Sequence, residues 1–239
     1  MPRIPRERWK TLKWVFDLFT EQVLFKLISK GIFDGLESPL QMGKEANIFT
    51  ALTSTGERVI VKIYRLTTAD FKKMYQYLAT DPRYAGLRKN RRKVIFAWAQ
   101  REYRNLLKAY EAGVPVPKPK AQLFNVLVMA FVGDLEPAPM LKDCPPKYPR
   151  KFFNELVMSL KKLYKAGLVH GDLSAFNILN HNEKPVFIDM SQATTLMDPN
   201  ARTYLKRDIA NLARFFKKVG LRIEEEALIK KIMQEAPEE

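Results

Sequence analysis

Residues 169–189 read VHGDLSAFNILNHNEKPVFID, and this stretch says more about the molecule than any other part of the chain. It contains His170, Asp172 and Asn177, and a second acid, Asp189, closes an apolar run. A phosphoryl-transfer site needs this order, because one carboxylate orients a hydroxyl while an amide and a second carboxylate hold Mg²⁺. Mg²⁺ prefers oxygen ligands, so Asn and Asp suit it better than Cys or His. A polar loop between two strands is the alternative interpretation of this stretch.

The composition limits the class of protein and its partners. The formal net charge is +15, which favours polyanionic partners and nucleic acid above all, although a generally lysine-rich surface is the simpler alternative. The chain has 239 residues, 46% of them hydrophobic, which is enough for a sizeable core in one or two domains. We expect no membrane helix and no signal peptide. The single cysteine, Cys144, excludes an internal disulfide and indicates a reducing, cytoplasmic environment.

Hydrophobic periodicity predicts secondary structure along most of the chain. It predicts helices over residues 9–31, 69–80, 94–112, 150–166, 201–219 and 223–235. It also predicts a β-ribbon over residues 40–64 and two short strands within residues 121–132. Residues 81–93 are rich in Pro, Gly and basic residues, and we expect a mobile loop there. Strands dominate early and helices late, which predicts an α+β fold with two lobes and a cleft between them.

Two charged residues outside the opening stretch are candidates for the same site. Lys62 lies late in the β-prone run VIVKI, so its side chain should point to the face opposite Val61 and Ile63. A lysine on an early strand is the usual partner of the α- and β-phosphates of ATP. Glu102 lies in the following long helix and could pair with Lys62. Together with residues 169–189, they give the order Lys, Glu, Asp, Asn, Asp that kinases use.

Four segments of the chain resemble the RIO family of atypical protein kinases. They are ESPLQMGKEANI (37–48), LVHGDLSAFN (168–177), IDMSQA (188–193) and LKRDIAN (205–211). The GKEA form of the first segment resembles the first branch of that family. The resemblance implies a two-lobed, protein-kinase-like α+β fold with a truncated activation segment. It also implies a helical extension at residues 1–36, an N-terminal sheet lobe at 37–132 and a mainly helical C-terminal lobe at 133–239.

The resemblance implies a role for each residue of the site. Asp172 would be the catalytic aspartate, while Asn177 and Asp189 would hold Mg²⁺, with Mn²⁺ as an alternative. The residues implied in ATP binding are Gly43, Lys44, Glu45, Ala46, Asn47, Ile48, Lys62, Glu102, Met129, Ala130, Val132 and Ile188. Residues 43–47 would form the phosphate-binding loop. Backbone groups of Ala130 and Val132 would bind adenine between Ile48 and Ile188.

The basic segment after residue 81 is a candidate RNA contact. Its candidate residues are Arg83, Tyr84, Arg88, Lys89, Arg91, Arg92 and Lys93. Such a segment could grip a phosphate backbone without base readout, and Tyr84 could stack on a base. The alternative is a solvated basic loop. By resemblance, the partner would be the small ribosomal subunit precursor with its rRNA.

Several functions remain open at the level of sequence. The first is an ATP-dependent Ser/Thr protein kinase in which Asp172 orients the incoming hydroxyl. The second is an ATPase switch in which Asp189 accepts the γ-phosphoryl group and water then releases it. The third is an RNA-binding assembly factor that holds ATP as a structural ligand. The fourth is a small-molecule phosphotransferase, against which the GKEANI segment argues. The oligomeric state cannot be inferred from the sequence.

Overall fold

The computed structural model describes residues 16–87 and 90–234, apart from the side chain of Pro82. The helices are α1 (Leu18–Ser29), α2 (Phe71–Ala79), α3 (Arg91–Glu111), α4 (Pro149–Lys165), α5 (Ala201–Lys218) and α6 (Glu225–Met233). The strands are β1 (Gly35–Met42), β2 (Ala46–Leu52), β3 (Arg58–Tyr64), β4 (Pro119–Leu123), β5 (Val126–Ala130), β6 (Leu168–Val169), β7 (Ile178–His181), β8 (Lys184–Phe187) and β9 (Thr194–Thr195). In this part of the chain, no helix is both long and apolar enough to cross a membrane.

The chain divides into two compact units. Among the described residues, the first comprises 16–75, 90–100 and 120–131, and the second comprises 76–87, 101–119 and 132–234. The first is built on a sheet and the second is mainly helical, so the predicted α+β fold class is confirmed. The lobe boundaries drawn from the sequence, at residues 36/37 and 132/133, stay a prediction.

The first unit is a five-stranded sheet covered by a helix on one face. The strand order is β1-β2-β3-β5-β4, and the β1–β2, β2–β3 and β3–β5 pairs are antiparallel. Alternate residues of β3, namely Val59, Val61 and Ile63, share a buried apolar cluster with residues of α1. Helix α1 begins at an N-cap, where the Asp17 carboxylate accepts the backbone N–H of Thr20 at 3.0 Å. Of the helix predicted at residues 9–31, the part that the structure describes as α1 therefore belongs to this core.

The second unit combines α4, α5, α6 and the C-terminal parts of α2 and α3 with two short two-stranded sheets. Helices α4, α5 and α6 each bury one apolar stripe, as the 3.6-residue periodicity predicts. Strand β6 pairs with β9, and β7 pairs with β8. The β7–β8 turn uses Asn182 and Glu183 at φ 52° and 62°, which is the geometry of the tight two-residue turns that match the twist of a hairpin.

The region predicted as a mobile loop is more ordered than the sequence suggests. Pro82–Tyr84 forms a 3₁₀ turn, and α3 already begins at Arg91. The turn forms because the Asp81 carboxylate accepts the backbone N–H of Arg83 at 3.0 Å and also binds its guanidinium. The other predicted helices and strands agree with the structure to within a few residues where they are described.

Candidate active site

Two side-chain amides of the second unit converge on the carboxylate of Asp172, which lies in the loop at residues 170–177, called the catalytic loop here after its predicted role. Asn177 Nδ2 donates to the backbone oxygen of Asp172 at 2.8 Å and to its Oδ2 at 3.3 Å. Gln192 Nε2 donates to the same Oδ2 at 3.0 Å. Asp172 is half-buried, so two neutral amides orient its carboxylate without neutralising the charge. That is the arrangement expected of a carboxylate that orients a hydroxyl.

A short hairpin brings the predicted metal ligands together. Asn177 directly precedes β7, while Asp189 lies two residues after the end of β8. The backbone N–H of Ile188 donates to the backbone oxygen of Asn177 at 3.0 Å, which closes the open end of the hairpin. Asp189 has φ 58°, a conformation that few non-glycine residues adopt and that is common at functional sites. Ser191 Oγ donates to Asp189 Oδ1 at 2.7 Å.

A buried acid of α5 fixes the backbone of the catalytic loop. Asp208 Oδ2 accepts the N–H of Gly171 and its Oδ1 accepts the N–H of Leu173, each at 2.8 Å. Burial raises the pKa of the Asp208 carboxyl from 3.8 to about 7. The neighbouring Arg207 donates to the backbone oxygen of Gly171. The LKRDIAN segment therefore supports the loop that carries Asp172.

His170 serves the structure of the loop and is uncharged at neutral pH. Its Nε2 lies 3.1 Å from the backbone oxygen of Ile188 and must donate to it, because a carbonyl oxygen only accepts. Burial lowers the pKa of the imidazole from 6.5 to about 4. The ring therefore ties the catalytic loop to the segment that carries Asp189.

In the first unit, Lys62 lies on the sheet face opposite α1, as predicted. Its neighbours in register are Ile48 on β2 and Leu127 on β5. Residues paired across antiparallel strands share a face, so these two apolar side chains flank the lysine. Met129 is paired with Ile60 and shares this face as well. Lys62 is only 7% exposed, so its ammonium group is a buried cation, and it lies 5.2 Å from the centre of the Tyr64 ring.

The GKEA segment forms a tight turn between β1 and β2. The N–H of Gly43 donates to the backbone oxygen of Ala46 at 3.0 Å, and a Cβ on Gly43 would lie 2.7 Å from that oxygen. Arg65 Nη1 donates to the Gly43 oxygen at 3.3 Å, and Thr68 Oγ1 donates to the Lys44 oxygen at 2.9 Å. A phosphate needs donors, so the backbone N–H groups of this turn, and not its carbonyls, are the main-chain groups that could bind one. Lys44 and Glu45 are exposed.

Asn47 does not share the face of Lys62. It pairs in register with Ile63, which belongs to the cluster around α1. Its Oδ1 is buried and has no hydrogen-bond partner among the described residues. The side chain of Asn47 therefore points away from Lys62, and only its backbone is placed to meet a nucleotide on the lysine face.

The remaining predicted nucleotide contacts are divided between the two units. Ala130 ends β5 in the first unit, whereas Val132 belongs to the second, where its carbonyl accepts the N–H of Ala138 at 2.9 Å. Ile188 is half-buried beside Asp189 in the second unit. Glu102 lies on α3 and is 1% exposed, so it is not the solvated charge that its neighbours in sequence suggest.

Most described members of the candidate RNA contact are used within the protein. Arg83 binds Asp81, and Tyr84 is 8% exposed, so its ring is not available to stack on a base in this conformation. Arg91 donates to backbone oxygens that follow β3, and Arg92 lies over the ring of Phe19. Lys93 is exposed, while Arg88 and Lys89 lie outside the described residues.

Five residues that support the site were not among the sequence candidates. They are Arg101, Asn105, Ser191, Gln192 and Asp208. Arg101 and Asn105 are spaced to share one face of α3, and that spacing was the available signal. The other three lie in the IDMSQA and LKRDIAN segments, where the resemblance pointed to the segment without assigning the side chain.

The donor set fits Mg²⁺ bound together with a nucleotide. In residues 16–87 and 90–234, no group of three His, Cys, Asp or Glu side chains could hold a metal ion. An amide and a carboxylate, from Asn177 and Asp189, would supply few protein ligands. Mg²⁺ is usually bound in this way, completing its coordination with waters and substrate phosphates.

A lysine on an antiparallel sheet and an Asp–Asn–Asp set on the loops of a helical unit are elements that protein kinases use. The RIO domain family matches residues 47–228. The RIO-type serine/threonine-protein kinase Rio1 of Haloferax volcanii is 40% identical over 215 residues, covering 90% of this chain and 74% of that protein. The Rio1 kinase of Methanocaldococcus jannaschii is 42% identical over 214 residues, covering 89% and 73%. The chain therefore belongs to the RIO family of atypical kinases.

Longer relatives and a solved structure extend this similarity. The human serine/threonine-protein kinase RIO1 is 35% identical over 212 residues, which cover 86% of this chain but 37% of that protein. The Rio2 kinase of Chaetomium thermophilum, solved as an ADP/Mg²⁺-phosphoaspartate complex, matches with a TM-score of 0.70 at 24% identity. That match covers 91% of this chain and 66% of the solved chain, and it supports the fold alone.

Proposed function

We propose that this kinase transfers the γ-phosphoryl group of Mg-ATP to Ser or Thr hydroxyls of protein. The observation that carries the proposal is the convergence of Asn177 and Gln192 on Asp172, next to the loop of Asp189. Asp172 accepts a hydrogen bond from the incoming hydroxyl and aims its oxygen at the γ-phosphorus. The hydroxyl oxygen forms the new P–O bond while its proton passes to Asp172, the bond from the γ-phosphorus to the bridging β–γ oxygen breaks, and ADP leaves.

Other residues bind and orient the nucleotide in this proposal. Asn177 and Asp189 would hold Mg²⁺, or Mn²⁺ in its place, and the metal would supply positive charge against the phosphates. Lys62 contacts the phosphates, with Glu102 as its anchor. The turn at residues 43–47 offers backbone N–H groups to the phosphates, and Ile48 lies on the lysine face as an apolar wall. Backbone groups of Ala130 and Val132 bind adenine, with Met129 and Ile188 beside it.

ATP hydrolysis through Asp189 is the second candidate activity. The solved Rio2 kinase of Chaetomium thermophilum carries a phosphoaspartate in its complex with ADP and Mg²⁺. In this chain, an Asp189 oxygen would attack the γ-phosphorus, ADP would leave, and water would then cleave the acyl phosphate. Asp189 is half-buried and held by Ser191 in an uncommon backbone conformation, which supports a defined direction of attack.

The proposed setting is small ribosomal subunit maturation in the cytoplasm. The net charge of +15 favours a polyanionic partner such as the rRNA of a subunit precursor. Of the candidate contacts, Lys93 is exposed and Arg92 has an exposed side chain over Phe19. An assembly factor that only holds ATP remains the competing hypothesis.

The test follows the γ-phosphate label of Mg-ATP in purified protein. Wild type is compared with Asp172→Asn, Asp189→Asn and a control, Asp143→Asn, which removes an exposed carboxylate of the same unit. One arm adds small ribosomal subunits, and another adds a small hydroxyl compound. Label on Ser or Thr that Asp172→Asn abolishes supports the kinase.

Other distributions of the label favour the competing hypotheses. Free phosphate that rises with subunits, with a hydroxylamine-sensitive intermediate that Asp189→Asn abolishes, supports the ATPase switch. Label on the small hydroxyl compound would indicate a small-molecule phosphotransferase. No turnover in any arm would contradict both catalytic proposals and leave the assembly factor.

A further inference from the structure

Two fully buried polar side chains of helix α3 bind the backbone of residues 190–193, the segment that follows Asp189. Asn105 Nδ2 donates to the backbone oxygens of Met190 at 2.9 Å and Ala193 at 2.6 Å. Arg101 Nε donates to the same Ala193 oxygen at 3.1 Å. Both side chains are 0% exposed. Burying polar groups of this kind is unfavourable unless their bonds are satisfied, so these contacts hold the segment strongly in place.

The backbone oxygens that α3 binds lie on either side of two residues whose side chains contact the acids of the site. Between Met190 and Ala193 lie Ser191, which donates to Asp189, and Gln192, which donates to Asp172. Anchoring both ends of this four-residue turn fixes the directions of Ser191 and Gln192. The bonds from α3 therefore act on both acids of the site through the backbone of residues 190–193.

Two residues that precede α3 in the chain, Asp81 and Arg83, contact the side chains of Arg101 and Asn105. Arg83 Nη1 donates to Asn105 Oδ1 at 3.0 Å, and its Nη2 donates to Asp81 Oδ2 at 2.7 Å. That Asp81 oxygen is also 3.8 Å from Arg101 Nε, so one buried carboxylate lies within ion-pair distance of two guanidinium groups. The bond from Arg83 fixes the amide of Asn105, because the amide oxygen must face the donor and its NH₂ group must face the carbonyls.

We propose that Asp81, Arg83, Arg101 and Asn105 form a polar clamp that positions residues 190–193 and, through them, Asp189. The proposal rests on the metal-binding role proposed above for Asp189. The four residues act as positioning residues, since none of them contacts the carboxylates of the site in the bonds described. The 3₁₀ turn at Pro82–Tyr84 carries part of the clamp, so the order found in this region has a consequence for the active site.

The decisive variant is Asn105→Leu, which keeps the size of the side chain and removes both donated bonds. Asn125→Leu is the matched control. Asn125 is also 0% exposed and donates two bonds, to Thr20 Oγ1 at 3.0 Å and the Tyr64 oxygen at 2.9 Å, but it lies in the first unit. Both changes should destabilise the protein, and only the first should alter residues 189–194.

Two measurements distinguish a role in positioning residues 189–194 from a contribution to overall stability alone. In nucleotide-free and metal-free protein, backbone amide exchange at residues 189–194 should rise about tenfold or more in Asn105→Leu, after correction for global unfolding, and not in Asn125→Leu. In the active protein, the half-saturating Mg²⁺ concentration should rise about tenfold for Asn105→Leu, as removal of outer-shell partners does elsewhere. Unchanged local exchange and unchanged Mg²⁺ dependence would overturn the proposal.

A milder variant keeps the test decisive if Asn105→Leu fails to fold. Arg83→Gln removes a partly exposed guanidinium of the 3₁₀ turn, and Arg104→Gln, at an exposed position of α3, controls for the lost charge. Arg83→Gln should raise exchange at residues 189–194 several-fold while Arg104→Gln does not, and equal exchange in the two would overturn the clamp. If Asp189→Asn leaves the Mg²⁺ dependence unchanged, the proposed metal-binding role of Asp189 is wrong. The amide exchange of residues 189–194 in metal-free protein still tests the clamp in that case.

Discussion

Replacing Gly171 of the catalytic loop with alanine should destabilise the protein for two separate reasons, its backbone conformation and a steric overlap. Its φ is +77°, a conformation that an L side chain adopts only at a cost. A Cβ added there would lie 2.8 Å from the backbone oxygen of Gln192, closer than van der Waals contact allows. Gly171→Ala therefore adds a left-handed residue and also pushes against the residue whose side chain orients Asp172.

A glycine in a turn of the sheet separates the two effects. Gly56 has φ +79° and no heavy atom within 4 Å of the position of its added Cβ. Gly56→Ala should therefore lose only the conformational term, about 1–2 kcal/mol. Gly171→Ala should lose this and a further 1–3 kcal/mol or so for the overlap, about 2–5 kcal/mol in all.

Urea unfolding and Mg-ATP turnover of both variants check this reasoning. We expect Gly56→Ala to retain wild-type turnover, because its added Cβ would meet no heavy atom and would therefore displace no neighbouring residue. Gly171→Ala should lose turnover beyond its loss of stability, since displacing the Gln192 backbone moves the amide that binds Asp172. Equal destabilisation by the two substitutions would refute the overlap, and full turnover in Gly171→Ala would refute the role of Gln192.

Three further predictions concern buried groups. The pKa of Asp208 is raised to about 7, so the folded state holds a proton that the unfolded state releases, and stability should fall by up to about 4 kcal/mol as pH rises from about 4 to 7. Asp208→Asn should remove this fall in the free energy of unfolding, measured by urea unfolding at a series of pH values. The pKa of His170 is lowered to about 4, so stability should instead fall by up to about 3 kcal/mol as pH drops from about 6.5 to 4. His170→Gln should remove that loss, and an unchanged acid limb would contradict the buried neutral imidazole. Tyr84→Phe should leave the thermal midpoint unchanged or slightly raised, because the buried hydroxyl of Tyr84 meets no hydrogen-bond partner among the described residues; a clear drop in midpoint would show otherwise.

The parts of the site that are local in sequence could be predicted from it. Asn177 and Asp189 are joined by a tight hairpin, and the turn residues Asn182 and Glu183 lie between two short apolar runs. The face of Lys62 followed from strand alternation alone, because Val61 and Ile63 belong to the opposite, buried face. In such segments, the residues that matter are neighbours in the chain, so periodicity and turn chemistry are enough.

The long-range polar contacts could not be predicted in the same way. Arg101 and Asn105 bind backbone oxygens, which every residue possesses, so the sequence of their partners contains no sign of the contact. Arg83 and Tyr84 look like members of a solvated basic loop until Asp81 is seen to be buried beneath them. Burial of a charge depends on tertiary packing, and local composition carries little information about it.

The packing of α1 behind the sheet has a consequence for how related sequences can diverge. Val23 and Leu27 on α1 share a core with Val61 and Ile63, which flank Lys62 on β3. A change in volume on one side of this layer has to be matched on the other, because interiors are close-packed and tolerate little net change. Substitutions at the inner positions of the helix are therefore coupled to substitutions on either side of Lys62, whereas exposed Phe25 is free of that constraint.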